Sequence, residues 1–306
     1  MGHGAFNPSA YLASAAVAAT KPIHENFTSV YLDPSLDPLN FTNGIRESVD
    51  SPDNPLSTPI IVALDVTGSM GSLAQSMAIK GLGILFQEIL DRKPVTNPHL
   101  MFIAIGDVRC DRAPIQVSQF EANNSIVEQL HKIYIEGGGG GNLTESYDAA
   151  WAVAGLMTKT DSFSKRGKKG YLFTVGDEQA PAGIPKNRAK EFLGIDSEVD
   201  YSAEDLLALA QSQYEVFHIA VEEGSHYRYY GQEVDKSWKA LLGQRYLRLS
   251  NSESLSELVV STIQVVEGSS VASVAASWSG DKSLVIANAL QGLTVAPKNS
   301  GMTRVK

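Results

Sequence analysis

Asp65, Thr67 and Ser69 occupy alternate positions of one short segment, Asp65-Val66-Thr67-Gly68-Ser69, at the end of the almost wholly apolar run PIIVALDV (59–66). One carboxylate and two hydroxyls thus share a single turn, where Gly68 and Gly71 permit sharp backbone geometry. Further on, five consecutive glycines (137–141) lead into Asn142-Leu143-Thr144, and the apolar run GYLFTVGD (170–177) closes on Asp177, followed by Glu178. Hydroxyls and carboxylates gathered without cysteine or paired histidine make an oxygen-only site. Such donors select hard divalent cations, with Mg2+ the natural occupant and Mn2+ the alternative.

Those residues must be brought together by the elements that carry them. PIIVALDV, LMFIAIGDV (100–108), GYLFTVGD and YEVFHIAV (214–221) are short apolar runs rich in β-branched residues, which predicts strands buried on both faces. IQVSQF (115–120) alternates apolar and polar residues and predicts an edge strand pairing back as a hairpin. RYLRL (245–249) is a further short strand. Between them, helices are predicted after TGSMGS (Leu73, Met77, Leu82, Leu85 and Ile89 near helical spacing), near 124–134, over 144–157, 204–213 and 235–242, and over 252–266. Strands alternating with helices predict an α/β fold: a doubly wound, mostly parallel central sheet with one antiparallel edge strand and helices on both faces. In such sheets ligands bind beyond the carboxyl ends of the strands, at the switch point of the strand order, so the residues that end the strands, Asp65 and Asp177 among them, are the candidates.

Residues 1–57 are rich in Pro, Asn, Ser and Asp and read as an extended arm; 58–268 form the α/β domain; 269–306 read as a C-terminal tail, docked or disordered. The chain has 306 residues, 43% of them hydrophobic, enough for a sizeable core. Its 25 basic and 34 acidic side chains give a net charge of −9, which disfavours nucleic acid and acidic membranes as partners. No apolar run reaches the roughly 18 residues of a membrane span. The N-terminal segment lacks the basic and apolar regions of a secretory signal, and the single cysteine, Cys110, forms no intrachain disulfide; both suit the cytoplasm.

The set Asp65-x-Thr67-x-Ser69, a glycine-rich loop with Thr144, and Asp177 after an apolar strand resembles the von Willebrand factor A domain family over roughly residues 57–267. The metal-ion-dependent adhesion site of that family uses Asp-x-Ser-x-Ser, a Thr from a glycine-rich loop and a later Asp. Here Thr67 replaces the commoner Ser and keeps the hydroxyl, and Asp177 follows Gly176 where the family has Thr-Asp-Gly. The resemblance implies that Thr67, Ser69 and Thr144 coordinate through hydroxyls, with Asn142 the alternative to Thr144, while Asp65 and Asp177 act mostly through water. It implies a sixth position open to a carboxylate from a partner protein. The TGSMG turn is similar to intracellular prokaryotic and phage members found beside AAA+ ATPases of the MoxR type, which implies such an ATPase as partner.

Other chemistries fit less well. No GxxxxGK[ST] accompanies the glycines, so neither a P-loop nor a dinucleotide fingerprint is met. An aspartyl phosphatase wants a second carboxylate two residues after Asp65, where Thr67 stands. Ser69 lies in no GxSxG, and the six histidines are scattered away from the proposed loops. The expectation is therefore a metal-dependent protein-interaction module and not an enzyme, with a Mg2+-dependent phosphoester hydrolase as the alternative and a structural or assembly protein with a rigidifying metal as the third. Around the site, Asp107, Arg109, Asp111 and Arg112 are expected to form an ion-paired turn, and Cys110 an unreactive turn residue. HYRYYG (226–231) follows a strand and belongs on the metal edge, which makes Tyr227, Arg228, Tyr229 and Tyr230 candidates for partner binding. KRGKK (165–169) precedes a strand and is expected as a solvated loop on the opposite edge.

Overall fold

The computed structural model describes Gly4, Phe6, Asn7, Phe27 and residues 29–77, 82–135 and 143–294. In chain order its strands are β1 (Arg46–Ser48), β2 (Thr58–Asp65), β3 (Pro98–Ile105), β4 (Ile115–Val117), β5 (Thr158–Thr160), β6 (Gly170–Gly176), β7 (Gly183–Ile184), β8 (Tyr201–Ser202), β9 (Tyr214–Val221) and β10 (Tyr246–Leu249). Six of them form one sheet in the order β10-β9-β6-β2-β3-β4. Neighbours run parallel except β4, which returns antiparallel along β3 at the edge as expected. It does so over 115–117 alone, with the polar Gln116 and Ser118 buried as well. The remaining strands pair off as β1 with β5 and β7 with β8.

The unbroken apolar runs are explained by burial on both faces. In β2, Ile60, Val62 and Leu64 enter one core while Ile61 and Ala63 enter the other; in β3, Leu100, Phe102 and Ala104 oppose Met101, Ile103 and Ile105 in the same way. The first core is closed by the helices Leu82–Arg92 and Leu255–Val266, the second by Tyr147–Leu156, Ala203–Gln213 and Ser225–Leu242. The fold is thus doubly wound α/β. Each fully buried Ile, Leu or Phe contributes roughly 2 kcal/mol, so stability rests mainly on these runs, with the polar residues at their ends a smaller part.

The path of the chain makes the site. From β2 it moves outward through β3 to β4, then returns to lay β6 on the other side of β2 before continuing to β9 and β10. The carboxyl ends of β2 and β6 therefore flank the switch point of the strand order, with Asp65 ending one and Asp177 following the other.

Both terminal segments pack on this frame. The Phe6 ring stacks on Phe86 with centroids 4.1 Å apart, and Leu36 and Phe41 are buried. Beyond residue 268, Val274 and Ile286 on the helices Val271–Ala276 and Asp281–Ala289, and Trp278 and Leu290 just after them, enter the first core. Trp278 donates its indole N–H to Ser261 Oγ at 2.8 Å and lies under the Arg92 guanidinium. Of the two readings of 269–306, docking holds for its described part.

Beyond the short strands β1, β5, β7 and β8 and several short helices absent from the sequence reading, three expected segments differ. The helix expected near 235–242 begins already at Ser225; its first turns, SHYRYYG, are hidden in the sequence by residues of weak helix propensity, and Tyr230 leaves helical backbone (φ −124°, ψ 22°). The helix expected over 144–157 starts at Tyr147, since Thr144 is taken up in a β-bridge to Gln179. Finally, KRGKK is not a free solvated loop. Lys165 and Arg166 form the last turn of the helix Asp161–Arg166, closed by left-handed Gly167. Arg166 pairs with Asp50 at 2.6 Å, Lys165 with Asp161 at 2.7 Å and Lys168 with Glu267 at 3.1 Å. Its position before β6 keeps it on the edge opposite Asp65 and Asp177.

Candidate metal centre

Asp65 is fully buried at the end of β2. Its Oδ1 accepts the backbone N–H of Thr67 at 2.9 Å and the Thr67 hydroxyl at 2.6 Å, the local turn that a short acidic side chain builds with the residue two positions on. Gly71, at φ 51°, then reverses the chain into the helix Ser72–Ser76. Ser69 donates its hydroxyl to Oδ1 of Asp177 at 2.6 Å, and the Thr67 and Ser69 hydroxyl oxygens lie 3.4 Å apart.

A third strand end completes the frame. After β9 the helix Ser225–Leu242 begins, and the N–H of His226 in its first turn donates to Oδ2 of Asp177 at 2.8 Å. An unpaired helix N-terminal N–H aimed at a carboxylate is a favourable match of charge and dipole. Ser225 adds bonds from its N–H and hydroxyl to the Ser69 carbonyl, at 3.1 and 2.9 Å. Gly224 permits this approach: a Cβ there would stand 2.3 Å from Cβ and Oδ2 of Asp177.

The fifth expected residue arrives by its backbone. Thr144 is half-buried and bridges to Gln179, whose N–H donates to the Leu143 carbonyl at 3.3 Å, so the end of the glycine loop lies beside the segment Asp177-Glu178-Gln179. The glycines at 137–141 and Asn142, the alternative ligand, lie outside the described residues. Tyr227, Arg228, Tyr229 and Tyr230 do fall on the Asp177 edge. Tyr229 is 83% and Tyr230 45% exposed, whereas Tyr227 is held by its bond to Asp235 at 2.7 Å. The turn 107–111 closes on itself: Asp111 Oδ2 accepts the Asp107 N–H and Asp107 accepts from Arg109 N–H and the Cys110 thiol. Burial and these carboxylates push the thiol pKa far up, away from thiolate chemistry.

Sequence reasoning missed Tyr147, Glu145, Gly224, Ser225 and His226. The Tyr147 hydroxyl donates to Oδ2 of Asp65 at 2.8 Å and accepts the Glu178 N–H at 3.4 Å. Its place three residues after Thr144, opening a helix, was the one available signal. Glu145 and Glu178 are buried, and each carries one oxygen without a hydrogen-bond partner.

Several carboxyls gathered at this edge are held above their ordinary range. Burial and then the Asp177 charge push the Asp65 carboxyl well above its ordinary range. Burial, Asp65 and Asp177 push Glu178 up to about 8, and burial with the surrounding carboxylates raises Glu145 further. Beside Glu178 lies His226, whose Nδ1 is 3.7 Å away, and burial shifts that imidazole toward its neutral form. Among the described residues no three His, Cys, Asp or Glu side chains converge as a metal-holding group. The donors on this edge are of another kind, two hydroxyls each backed by a buried carboxylate. Their 3.4 Å separation is near the roughly 3 Å between adjacent corners of an octahedron at Mg–O lengths. This donor set fits a small hard cation.

No protein-family model and no curated protein matches the chain. Solved structures do resemble it. The pilus adhesin SpaC of Lactobacillus rhamnosus GG, in its open conformation, is 12% identical, with a TM-score of 0.44 over 72% of this chain and 31% of the adhesin. The conserved hypothetical protein BatB from Bacteroides thetaiotaomicron is 17% identical, with a TM-score of 0.39 over 68% of this chain and 98% of BatB. A von Willebrand factor type A structure from Catenulispora acidiphila is 15% identical, with a TM-score of 0.37 over 71% of this chain and 44% of that one. The chain thus spans about a third of the adhesin.

Proposed function

We propose that the chain is a metal-dependent protein-interaction module of the von Willebrand factor A type. Thr67, Ser69 and Thr144 would hold Mg2+ or Mn2+ through their hydroxyls, with Asp65 and Asp177 behind them. The observation that supports this reading is the paired arrangement Thr67–Asp65 and Ser69–Asp177. Each hydroxyl gives its proton to a buried carboxylate and keeps its lone pairs for an outside ligand. The negative charge stays behind the ligands instead of among them. A cation so held would supply an incompletely neutralised position able to take a carboxylate oxygen from a partner's Asp or Glu. The His226 N–H and Thr67 N–H fix the two carboxylates, and Tyr229 and Tyr230 offer an aromatic rim beside the site for the partner's flanking residues. The sequence resemblance suggests an AAA+ ATPase of the MoxR type as the class of partner and prokaryotic or phage relatives as its setting.

Calorimetric titration of Mg2+ and Mn2+ into wild type and Asp65→Ala/Asp177→Ala tests the reading. Saturable binding by wild type and none by the variant is expected. No binding, or equal binding by both, overturns it. Screening phosphoesters with Mg2+ should give only background turnover; turnover abolished by Asp65→Asn would favour the hydrolase instead.

A further inference from the structure

Tyr147 is the first residue of the helix Tyr147–Leu156 and is completely buried. Its ring stands edge-on to His218 and Trp238, with centroids 5.0 and 5.4 Å away. Those contacts would be served equally by phenylalanine. The hydroxyl is the costly part, since a buried O–H must find partners. It finds two at the strand ends, accepting from the Glu178 N–H and donating to Oδ2 of Asp65. Thr67 holds the other oxygen, Oδ1, with two bonds. The Asp65 carboxylate is therefore gripped on both oxygens by groups 80 positions apart (147 − 67).

Room for this hydroxyl exists because of Gly176. A Cβ at that position would lie 2.1 Å from Tyr147 Oη and 2.7 Å from two ring carbons. The glycine that precedes Asp177, where a Thr-Asp-Gly sequence would put a side chain, thus belongs with the tyrosine as one arrangement.

We infer that Tyr147 is a positioning residue for the cation site: its hydroxyl, admitted by Gly176, fixes the plane of the Asp65 carboxylate so that Oδ1 and the Thr67 hydroxyl it holds present the ligand oxygen. The inference rests on the proposed cation site and adds a residue that does not itself touch the metal. A carboxylate released at Oδ2 keeps only its bonds to Thr67 and can pivot about them, shifting the Thr67 hydroxyl. Outer partners of this kind set the orientation of ligands and typically govern metal affinity by 10–100-fold.

The test is Mn2+ affinity by calorimetry on the full chain at a temperature where every variant is folded by circular dichroism. Tyr147→Phe removes one oxygen and leaves the ring; it should weaken Mn2+ binding by about tenfold or more. Gly176→Ala reaches the same hydroxyl from β6 and should weaken binding by a similar factor. Trp151→Phe is the control for loosened packing: Trp151 is buried against Trp238 about one turn beyond Tyr147 in the same helix. It should lower the melting temperature and leave Mn2+ affinity within about twofold of wild type. Equal affinity in Tyr147→Phe and wild type overturns the inference alone, as does an equal loss in Trp151→Phe. No Mn2+ uptake by wild type overturns the proposed function and this inference with it.

Discussion

Ser69 and Asp177, 108 positions apart, meet through a 2.6 Å hydrogen bond from hydroxyl to carboxylate. It joins the turn after β2 to the end of β6 at the point where the strand order reverses. Ser69→Ala removes the donor together with a proposed ligand. Stability should fall by about 1–3 kcal/mol, because a buried carboxylate oxygen loses its partner. Mn2+ affinity should fall at least tenfold. Urea unfolding and calorimetry measure the two effects separately.

Gly224→Ala probes the same carboxylate from the β9 side. The added Cβ would collide with Asp177 at 2.3 Å. A cost of about 1–3 kcal/mol is expected from overpacking, with weaker cation binding as Asp177 is pushed from the His226 N–H. Chemical denaturation and calorimetry check it.

A pH dependence is predicted at the far edge. Burial acts to raise the Asp50 pKa, but bonds from Arg166 and Ser57 outweigh it and hold the carboxyl well below its usual value near 3.8. A folded-state pKa below the unfolded one gives stability that is present above about pH 4 and is lost as pH falls toward the folded value. Asp50→Asn should therefore cost about 2 kcal/mol at pH 7, and the gap to wild type should narrow by pH 3. Urea unfolding at the two pH values reads the difference. A constant gap would exclude the ion pair as the anchor of the segment around Asp50.

Partner capture should separate rim from site. Tyr229→Ala and Tyr230→Ala should weaken binding of a cation-dependent partner by about 1–2 kcal/mol each, with Mn2+ affinity unchanged. Thr144→Ala or chelator should abolish it. Lys168→Ala/Lys169→Ala, on the opposite edge, should leave it intact. Loss through the lysines and not through Thr144 would move the binding surface away from Asp65.

Much of this was legible before the structure because strong local patterns coincide with the sheet. PIIVALDV and GYLFTVGD could be read as buried strands from apolar continuity, and residues ending such strands are the ones an α/β sheet offers to ligands. What escaped was long-range or backbone-borne. Tyr147 looks like one more aromatic on a helix; only the β6 terminus shows that its hydroxyl has a glycine opposite. His226 acts through its N–H, which no side-chain pattern reveals. The start of the helix at Ser225 was hidden by residues of weak propensity, and the docking of 271–293 by short helices with diffuse apolar faces.

The hydrogen bonds that frame Asp65 and Asp177 close loops of 82, 108 and 156 residues, from Tyr147 to Asp65, Ser69 to Asp177 and Ser225 to Ser69. Contacts of such separation have a high entropic cost of closure and form only after the strands between them are paired. A chain emerging from synthesis therefore holds the DVTGS turn long before it holds anything that could recruit a ligand to it. The proposed site would be complete only once β9 has docked and Ser225 has reached Ser69. On the proposed reading, incomplete copies would hold these hydroxyls apart, and the full ligand set would exist only in the finished fold.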